Sequence, residues 1–473
     1  MYTIAIIAGM TLAGCGNPEG KKPIEGQTAV ADTAAKPAIP FTNGVTDANR
    51  GSKSGKVQVK ATLDSPGVTK KLYIWETQGK TLILKDSTAS TTGTFDFGTD
   101  TYESGVYAIG PVEQNAAQII ISAAEPVVEL GFRSQKLDAG VYAINSKENE
   151  GLAKYLPQEK TILEAIKQNR ISMAKTSMKA QFEAEIAKKE AELAGVQATL
   201  INQYPGTFLA KLLTWKQEPE KNNKSKYWDN VDFSDASLVR TMILPDRIQN
   251  YMRTHSGGEE NGFLNCVDAV AQKAMADADV LEFSLYQMLS GFYESNMENI
   301  AVYIADNYIH GEACGDHEVS NLLKSNTDAI MNLRVGKNPP NIVMSTSEGK
   351  AFDLYKTCKA NKYTLVMFWA SWCEHCKGEA PEVKMYYDQW RSRGVEFLGV
   401  SVDNNPTLWQ NALKERGFTF PQVCGMKMWD SKVAKDYKVT KTPSFFLLDS
   451  EGKIVLKPKG IRETNQWLTQ NLK

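Results

Sequence analysis

The chain has 473 residues, enough for about three domains of ordinary size, and 42% of them are hydrophobic, as in folded soluble proteins. Lys plus Arg number 54 against 55 Asp plus Glu. A net charge of −1 removes any electrostatic reason to expect a nucleic acid or an anionic membrane surface as a ligand.

Residues 3–13 form an apolar run of about eleven residues, where a bilayer span needs roughly twenty. The run ends in Leu12-Ala13-Gly14-Cys15. This resembles the bacterial lipobox, and the resemblance implies that residues 1–15 are a lipoprotein signal peptide with Cys15 lipidated as the first mature residue. The run lacks the Lys or Arg that normally precedes it, which is consistent with a start codon farther upstream. Two or three acyl chains, at about 0.8 kcal/mol per buried CH₂, would hold the protein on a membrane essentially permanently. Neither Gly16 nor Asn17 is the aspartate that marks inner-membrane retention, so the outer membrane is favoured.

Residues 16–55 are rich in Pro, Gly, Ala, Thr and Lys without periodicity and cannot bury enough surface to order themselves. They read as a flexible linker with a span of roughly 35 Å. From 56 to 132 the apolar residues alternate: Val57, Val59 and Ala61, then 72–75, 82–84, Phe95 and Phe97, 106–109, 119–121 and 127–132. Seven short strands at that spacing predict an antiparallel β-sandwich over 56–147. It offers no acidic pair, histidine or cysteine.

Residues 148–335 read as an α-helical domain. Phe182, Ile186, Leu193, Val196 and Leu200 mark the face of one long charged helix, and Tyr204-Pro205-Gly206 breaks it before Thr207 caps the next. The segment from Tyr227 to Asp235, with 238–251 after it, resembles the helical region found upstream of TlpA/ResA-like domains in Bacteroidota lipoproteins, and the β-region resembles their N-terminal domain, both of unknown function. The aromatic and acidic cluster at 227–235 reads as a packed helix junction, with a peptide or ligand surface as the competing reading.

The last third, 336–473, carries the chemistry. A buried strand at 363–369 runs into Ala370-Ser371-Trp372-Cys373-Glu374-His375-Cys376-Lys377, and an amphipathic helix follows at 374–390. Cys373 then sits at a helix N-terminus, where partial positive charge favours thiolate over thiol. Cys376 lies one turn on, within reach of a mixed disulfide at Cys373. A strand at 395–402, a helix near 408–416 and a short strand at 420–423 complete the pattern. One CxxC is too few ligands for structural zinc, and Lys377 stands where haem attachment wants histidine. A purely structural disulfide is the competing reading.

At these residues the chain resembles the thioredoxin superfamily, and F-W-A-S-W-C-x-x-C-K-x-E-x-P is similar to its membrane-tethered TlpA/ResA branch. Pro381 takes the place of the family's kinking proline, and 439–449 resembles its cis-proline loop and following strand. The resemblance implies a C-terminal α/β thioredoxin-like fold with Cys373 as attacking and Cys376 as resolving cysteine of a redox-active disulfide. It also implies Thr442 and Pro443 as the substrate-docking backbone, with Trp372, Glu374, His375 and Glu379 as tuning residues. Met367 replaces the buried acid that thioredoxins carry six residues before the first cysteine, so proton transfer must use water or another group. His375 as imidazolium would stabilise the Cys373 thiolate and Glu374 would oppose it.

Four cysteines remain. In an oxidising envelope Cys266 and Cys314 could form a structural disulfide, and Cys358 and Cys424 could pair or be buried small hydrophobes. The expected function is that of a lipid-anchored envelope thiol-disulfide oxidoreductase, foremost a reductase of disulfide-containing envelope proteins, supplied by a membrane electron-transfer protein. No metal or organic cofactor is implied, because the dithiol carries the electrons. A disulfide oxidase or isomerase, and a binding protein with a vestigial redox domain, are the alternatives; a thiol peroxidase fits W-C-x-x-C poorly.

Overall fold

The computed structural model describes residues 54–64, 69–133, 137, 140–176, 178–220, 223–310 and 320–472. Cys15, the linker up to residue 53 and Cys314 lie outside them. The chain divides into two compact units, one of residues 1–288 with 311–318, the other of 289–310 with 319–473. Among the described residues no helix is long and apolar enough to cross a membrane.

The first unit opens with β1 (Ser54–Leu63), β2 (Lys71–Gln78), β3 (Thr81–Ala89), β4 (Thr94–Glu103), β5 (Gly105–Gly110), β6 (Ala117–Ile121), β7 (Val127–Phe132) and β8 (Val141–Asn145). They form two four-stranded sheets, ordered β4-β1-β7-β8 and β3-β2-β5-β6. Alternation in β1 turns Val57, Val59, Ala61 and Leu63 inward, where they meet Leu72, Ile74, Ile109 and Ile119 of the other sheet in one core. The expected sandwich therefore forms, with two differences. An eighth strand, half-exposed and without clear alternation, pairs with β7, and β1 runs parallel to β7 rather than antiparallel.

Six helices follow: α1 (Lys147–Met173), α2 (Lys179–Gln203), α3 (Phe208–Lys216), α4 (Ile243–His255), α5 (Glu260–Ala274) and α6 (Ala278–Glu294). Ser146 caps α1, and the buried Asn149 side chain donates to the Ile120 carbonyl at 2.7 Å while accepting from the Ile120 N–H at 2.9 Å, which ties α1 to β6. Thr207 caps α3 as expected. Glu148, buried, accepts from the Phe208 and Leu209 N–H groups at the start of that helix, a favourable place for negative charge. Arg240 pairs with Glu76 at 3.1 Å and with Glu103, both strand residues. Tyr227 and Trp228 are buried against Tyr251, and Phe233 against Trp228, so this aromatic cluster packs the helix junction.

The second unit holds the end of α6, then α7 (Glu298–Ile304), a π-turn (Ala305–Ile309) and α8 (Asn321–Met331). After these come β9 (Val343–Ser345), β10 (Ala351–Asp353), α9 (Leu354–Ala360), β11 (Tyr363–Trp369), α10 (Glu374–Arg391), β12 (Val395–Ser401), α11 (Pro406–Arg416) and β13 (Gln422–Cys424). The chain ends with α12 (Lys432–Asp436), β14 (Ser444–Asp449), β15 (Ile454–Leu456) and α13 (Ile461–Asn471). A five-stranded sheet runs β13-β12-β11-β14-β15, with β12 parallel and β14 antiparallel to β11. β11 is central and buried on both faces, which is why its sequence is a continuous apolar run. Asn405 caps α11 with Pro406 in the first turn, and Gly417 closes it in the left-handed conformation (φ 62). Trp390 on α10 donates to Asn465 on α13 at 2.9 Å, joining two helices of this unit.

Candidate active site

The site forms where β11 ends and α10 begins. Cys373 is the N-cap of α10, and its Sγ accepts the Cys376 N–H at 3.1 Å. The two cysteines are joined in a disulfide with Cα atoms 5.3 Å apart. Cys373 keeps 6% of its surface exposed and Cys376 none, so an incoming group can reach only the first sulfur. The Thr442-Pro443 bond is cis, and the Thr442 carbonyl oxygen lies 3.5 Å from Cys373 Sγ. The structure thus brings together Cys373, Cys376, Thr442 and Pro443, which are 70 residues apart at the extremes.

Of the four tuning candidates, Glu374 and His375 face solvent. Trp372 is 48% exposed and meets Trp429 edge to face, 5.9 Å between ring centres. Trp429 is carried there by a loop in which Met426 (φ 53) and Met428 (φ 48) hold left-handed conformations, unusual for side chains of their size. Glu379 lies one turn beyond Cys376 on the same face of α10. Burial pushes its carboxyl pKa above the usual value, and the backbone N–H of Ile461 pulls the other way. One oxygen, Oε2, is buried without a hydrogen-bond partner. Met367 is fully buried in β11, so no acid rises from the strand beneath the dithiol. Glu379 is the carboxylate nearest in sequence that is half-buried rather than exposed.

Sequence reasoning missed the groups that hold the segment leading to Cys373. Asp403, 2% exposed just after β12, accepts from the Ser371 N–H at 2.9 Å, the Ser371 hydroxyl at 2.6 Å and the Ser401 hydroxyl at 2.6 Å. Arg416, the last residue of α11, donates to the Ala370 and Ser371 carbonyls at 3.0 and 2.9 Å and lies over the Trp369 ring. Burial pushes the Arg416 pKa down, opposed by the negative charge of Asp403. Trp369 donates to Gln422 at 3.0 Å. In sequence these are an ordinary acid after a strand and an ordinary base at a helix end, and nothing in their spacing relates them to Cys373.

Cys266 and Cys358 are buried free thiols, and Cys424 is a partly exposed one. Cys358 and Cys424 are therefore unpaired; burial pushes the Cys358 pKa up, as for a small apolar core residue. The partner proposed for Cys266, Cys314, is outside the described residues. Among those residues no group of three or more His, Cys, Asp or Glu side chains could hold a metal ion.

Residues 335–457 match the AhpC/TSA family. The thiol-disulfide oxidoreductase ResA of Bacillus thuringiensis is 30% identical over 141 residues, which cover 30% of this chain and 78% of that protein. The sporulation thiol-disulfide oxidoreductase A of Bacillus subtilis is 30% identical over 135 residues, 27% of this chain and 78% of that protein. A solved thioredoxin domain of a thiol-disulfide oxidoreductase from Bacteroides vulgatus shares 27% identity, with 30% of this chain and 99% of that one covered at a TM-score of 0.28. Through its C-terminal domain the chain belongs to the ResA-type thiol-disulfide oxidoreductases of the thioredoxin superfamily.

Proposed function

We propose that the protein is a lipid-anchored reductase of protein disulfides in the bacterial cell envelope, using Cys373 and Cys376. The observation that carries this reading is the asymmetry of the pair. One sulfur is reachable, sits at a helix N-terminus and lies beside the cis-proline backbone; the other is sealed.

In the reduced protein the Cys373 thiolate attacks one sulfur of a substrate disulfide. A mixed disulfide forms, and the other substrate sulfur leaves as a thiolate. Cys376 gives up its proton, and its thiolate attacks the Cys373 sulfur. The Cys373–Cys376 bond closes, the second substrate thiolate is released, and two electrons have passed from protein to substrate. Glu379 receives the Cys376 proton through water; burial pushes its carboxyl pKa up, which favours the protonated form. Thr442 and Pro443 offer backbone to the substrate chain. A membrane electron-transfer protein then reduces the disulfide again, and Cys15 holds the protein at the membrane, the outer one in our reading.

Cys376→Ser tests the two-step scheme. Mixed disulfides through Cys373 should accumulate in cells and identify the substrates. A mutant that traps nothing, while Cys373→Ser and Cys376→Ser behave alike in insulin reduction, refutes it. His375 supports a second reading, a disulfide oxidase, because its exposed imidazole adjoins Cys376. A potential near that of thioredoxin, about −270 mV, agrees with the reductase, and one near about −120 mV agrees with the oxidase.

A further inference from the structure

β13 ends at Cys424, and the loop after it continues Gly425-Met426-Lys427-Met428, so three sulfur side chains fall within five residues. Cys424, Met426 and Met428 are all partly exposed, and none of them is sealed in the core. Cys424 is a free thiol that takes no part in the disulfide exchange above. Its Sγ lies 3.8 Å from Met426 Sδ and accepts the Met426 N–H at 3.5 Å. Strand pairing fixes one end of this arrangement. Cys424 stands opposite Ser401 at the close of β12, and its Sγ is 3.4 Å from the Asp403 carbonyl oxygen.

A thiolate and a thioether are soft donors, and such donors select Cu(I) over the harder divalent ions. With metal–sulfur bonds of about 2.3 Å, two sulfurs on one three-coordinate ion stand about 4.0 Å apart. The observed 3.8 Å therefore lets both sulfurs close on a single ion with almost no movement of the loop. Methionine stands outside the His, Cys, Asp and Glu side chains that fail to cluster around a metal among the described residues. Zinc fits the pair poorly, because its structural sites take four ligands from Cys, His and carboxylates. The third place around a Cu(I) ion is within chain reach of Met428, since two residues span at most about 7 Å.

We propose that Cys424 and Met426 form a Cu(I) site, with Met428 as the third sulfur donor. On binding, Cys424 releases its thiol proton, a Cu–S bond forms in its place, and no electron is transferred. The test uses the full chain without oxygen and with ascorbate, Cys373 and Cys376 being kept as their disulfide so that neither competes for the ion. Cu(I) alone is titrated against a chromophoric Cu(I) chelator, and X-ray absorption at the copper edge reads the donor atoms. One tight ion should bind per chain with sulfur neighbours at about 2.3 Å, and its affinity should rise with pH, as release of a proton requires. Cys424→Ser should weaken binding about a hundredfold or more and Met426→Leu about tenfold or more, since losing even a group that only supports a ligand costs about 10–100-fold. Met426→Leu keeps the volume and apolar character of the side chain, so it reports on the sulfur even where Cys424→Ser disturbs folding. A chain that holds no Cu(I) against the chelator, binding that neither substitution weakens, or a copper ion with nitrogen and oxygen neighbours alone overturns the proposal and leaves the sulfur contact as packing. Displacement of Cu(I) by an equal concentration of Zn(II) overturns it as well.

Discussion

Replacing Asp403 with alanine removes the acceptor for three hydrogen bonds, from the Ser371 N–H, the Ser371 hydroxyl and the Ser401 hydroxyl, and takes away the largest of the negative charges that favour the Arg416 cation. Hydrogen bonds to a charged group contribute about 1.5–3 kcal/mol each, but burying the carboxylate offsets part of that sum. Leaving a buried donor without its acceptor costs about 1–3 kcal/mol, and with three donors left unpaired the expected loss is about 3 kcal/mol or more. Asp403→Asn separates the causes. Its amide oxygen can take the Oδ2 position, keeping the Ser371 N–H and Ser401 bonds, while its NH₂ donates to the Ser371 hydroxyl. Only the charge is lost, at about 1–2 kcal/mol. Hydrogen exchange of the full-length protein, read on peptides covering 365–372, measures the local opening. At about 1.4 kcal/mol per tenfold, exchange should accelerate about a hundredfold or more in the alanine variant and about tenfold in the asparagine variant. Insulin reduction should fall in the same order, since Ser371 and Trp372 lead directly into Cys373. If the alanine variant is protected like the unaltered protein, or asparagine costs as much as alanine, the proposed anchoring of this segment is wrong.

Glu379→Gln should stabilise the protein at neutral pH. A carboxyl pKa raised by folding contributes stability that is fully present below the unfolded value of 4.5 and is lost as pH rises through the folded value. Glutamine mimics the protonated form, so denaturation midpoints measured upward from about pH 4.5 should fall less steeply than those of the unaltered protein; parallel curves would refute the assignment. The same variant should slow resolution of the mixed disulfide if Glu379 takes the Cys376 proton. His375→Pro should lower the reduction potential by about 30 mV or less, a factor of ten or less in the exchange equilibrium, because it removes an imidazole whose polar edge would favour the thiolate but is solvent-exposed and screened. No shift in a redox titration would make His375 a plain surface residue. Cys15→Ser should release the protein from membranes or leave it unprocessed, and an unmodified peptide spanning residues 12–16 in the envelope-located protein would rule the anchor out.

Short-range chemistry alone determines much of this protein. Period-two alternation from Val57 onward marked β1 to β7, because one face of each strand must be apolar to meet the opposing sheet. The continuous apolar run of β11, followed at once by Cys373 and the polar start of α10, placed the dithiol at a strand-to-helix junction. Caps such as Thr207 act on N–H groups two or three residues away, so their effect is local and readable. The direction of β1 against β7 was not readable, since the same alternation serves parallel and antiparallel neighbours. Nor was β8, whose residues are half-exposed on both faces. Only tertiary structure decided that Asp403 and Arg416 hold the segment ahead of Cys373, that Lys441 of the cis-proline loop reaches the Glu294 carbonyl at the end of α6, and that helices near residues 298–331 group with the C-terminal sheet. Those contacts join residues 32 to about 150 positions apart. A long-range contact depends on where the chain returns in space, and the identities of the two residues that meet carry no record of each other.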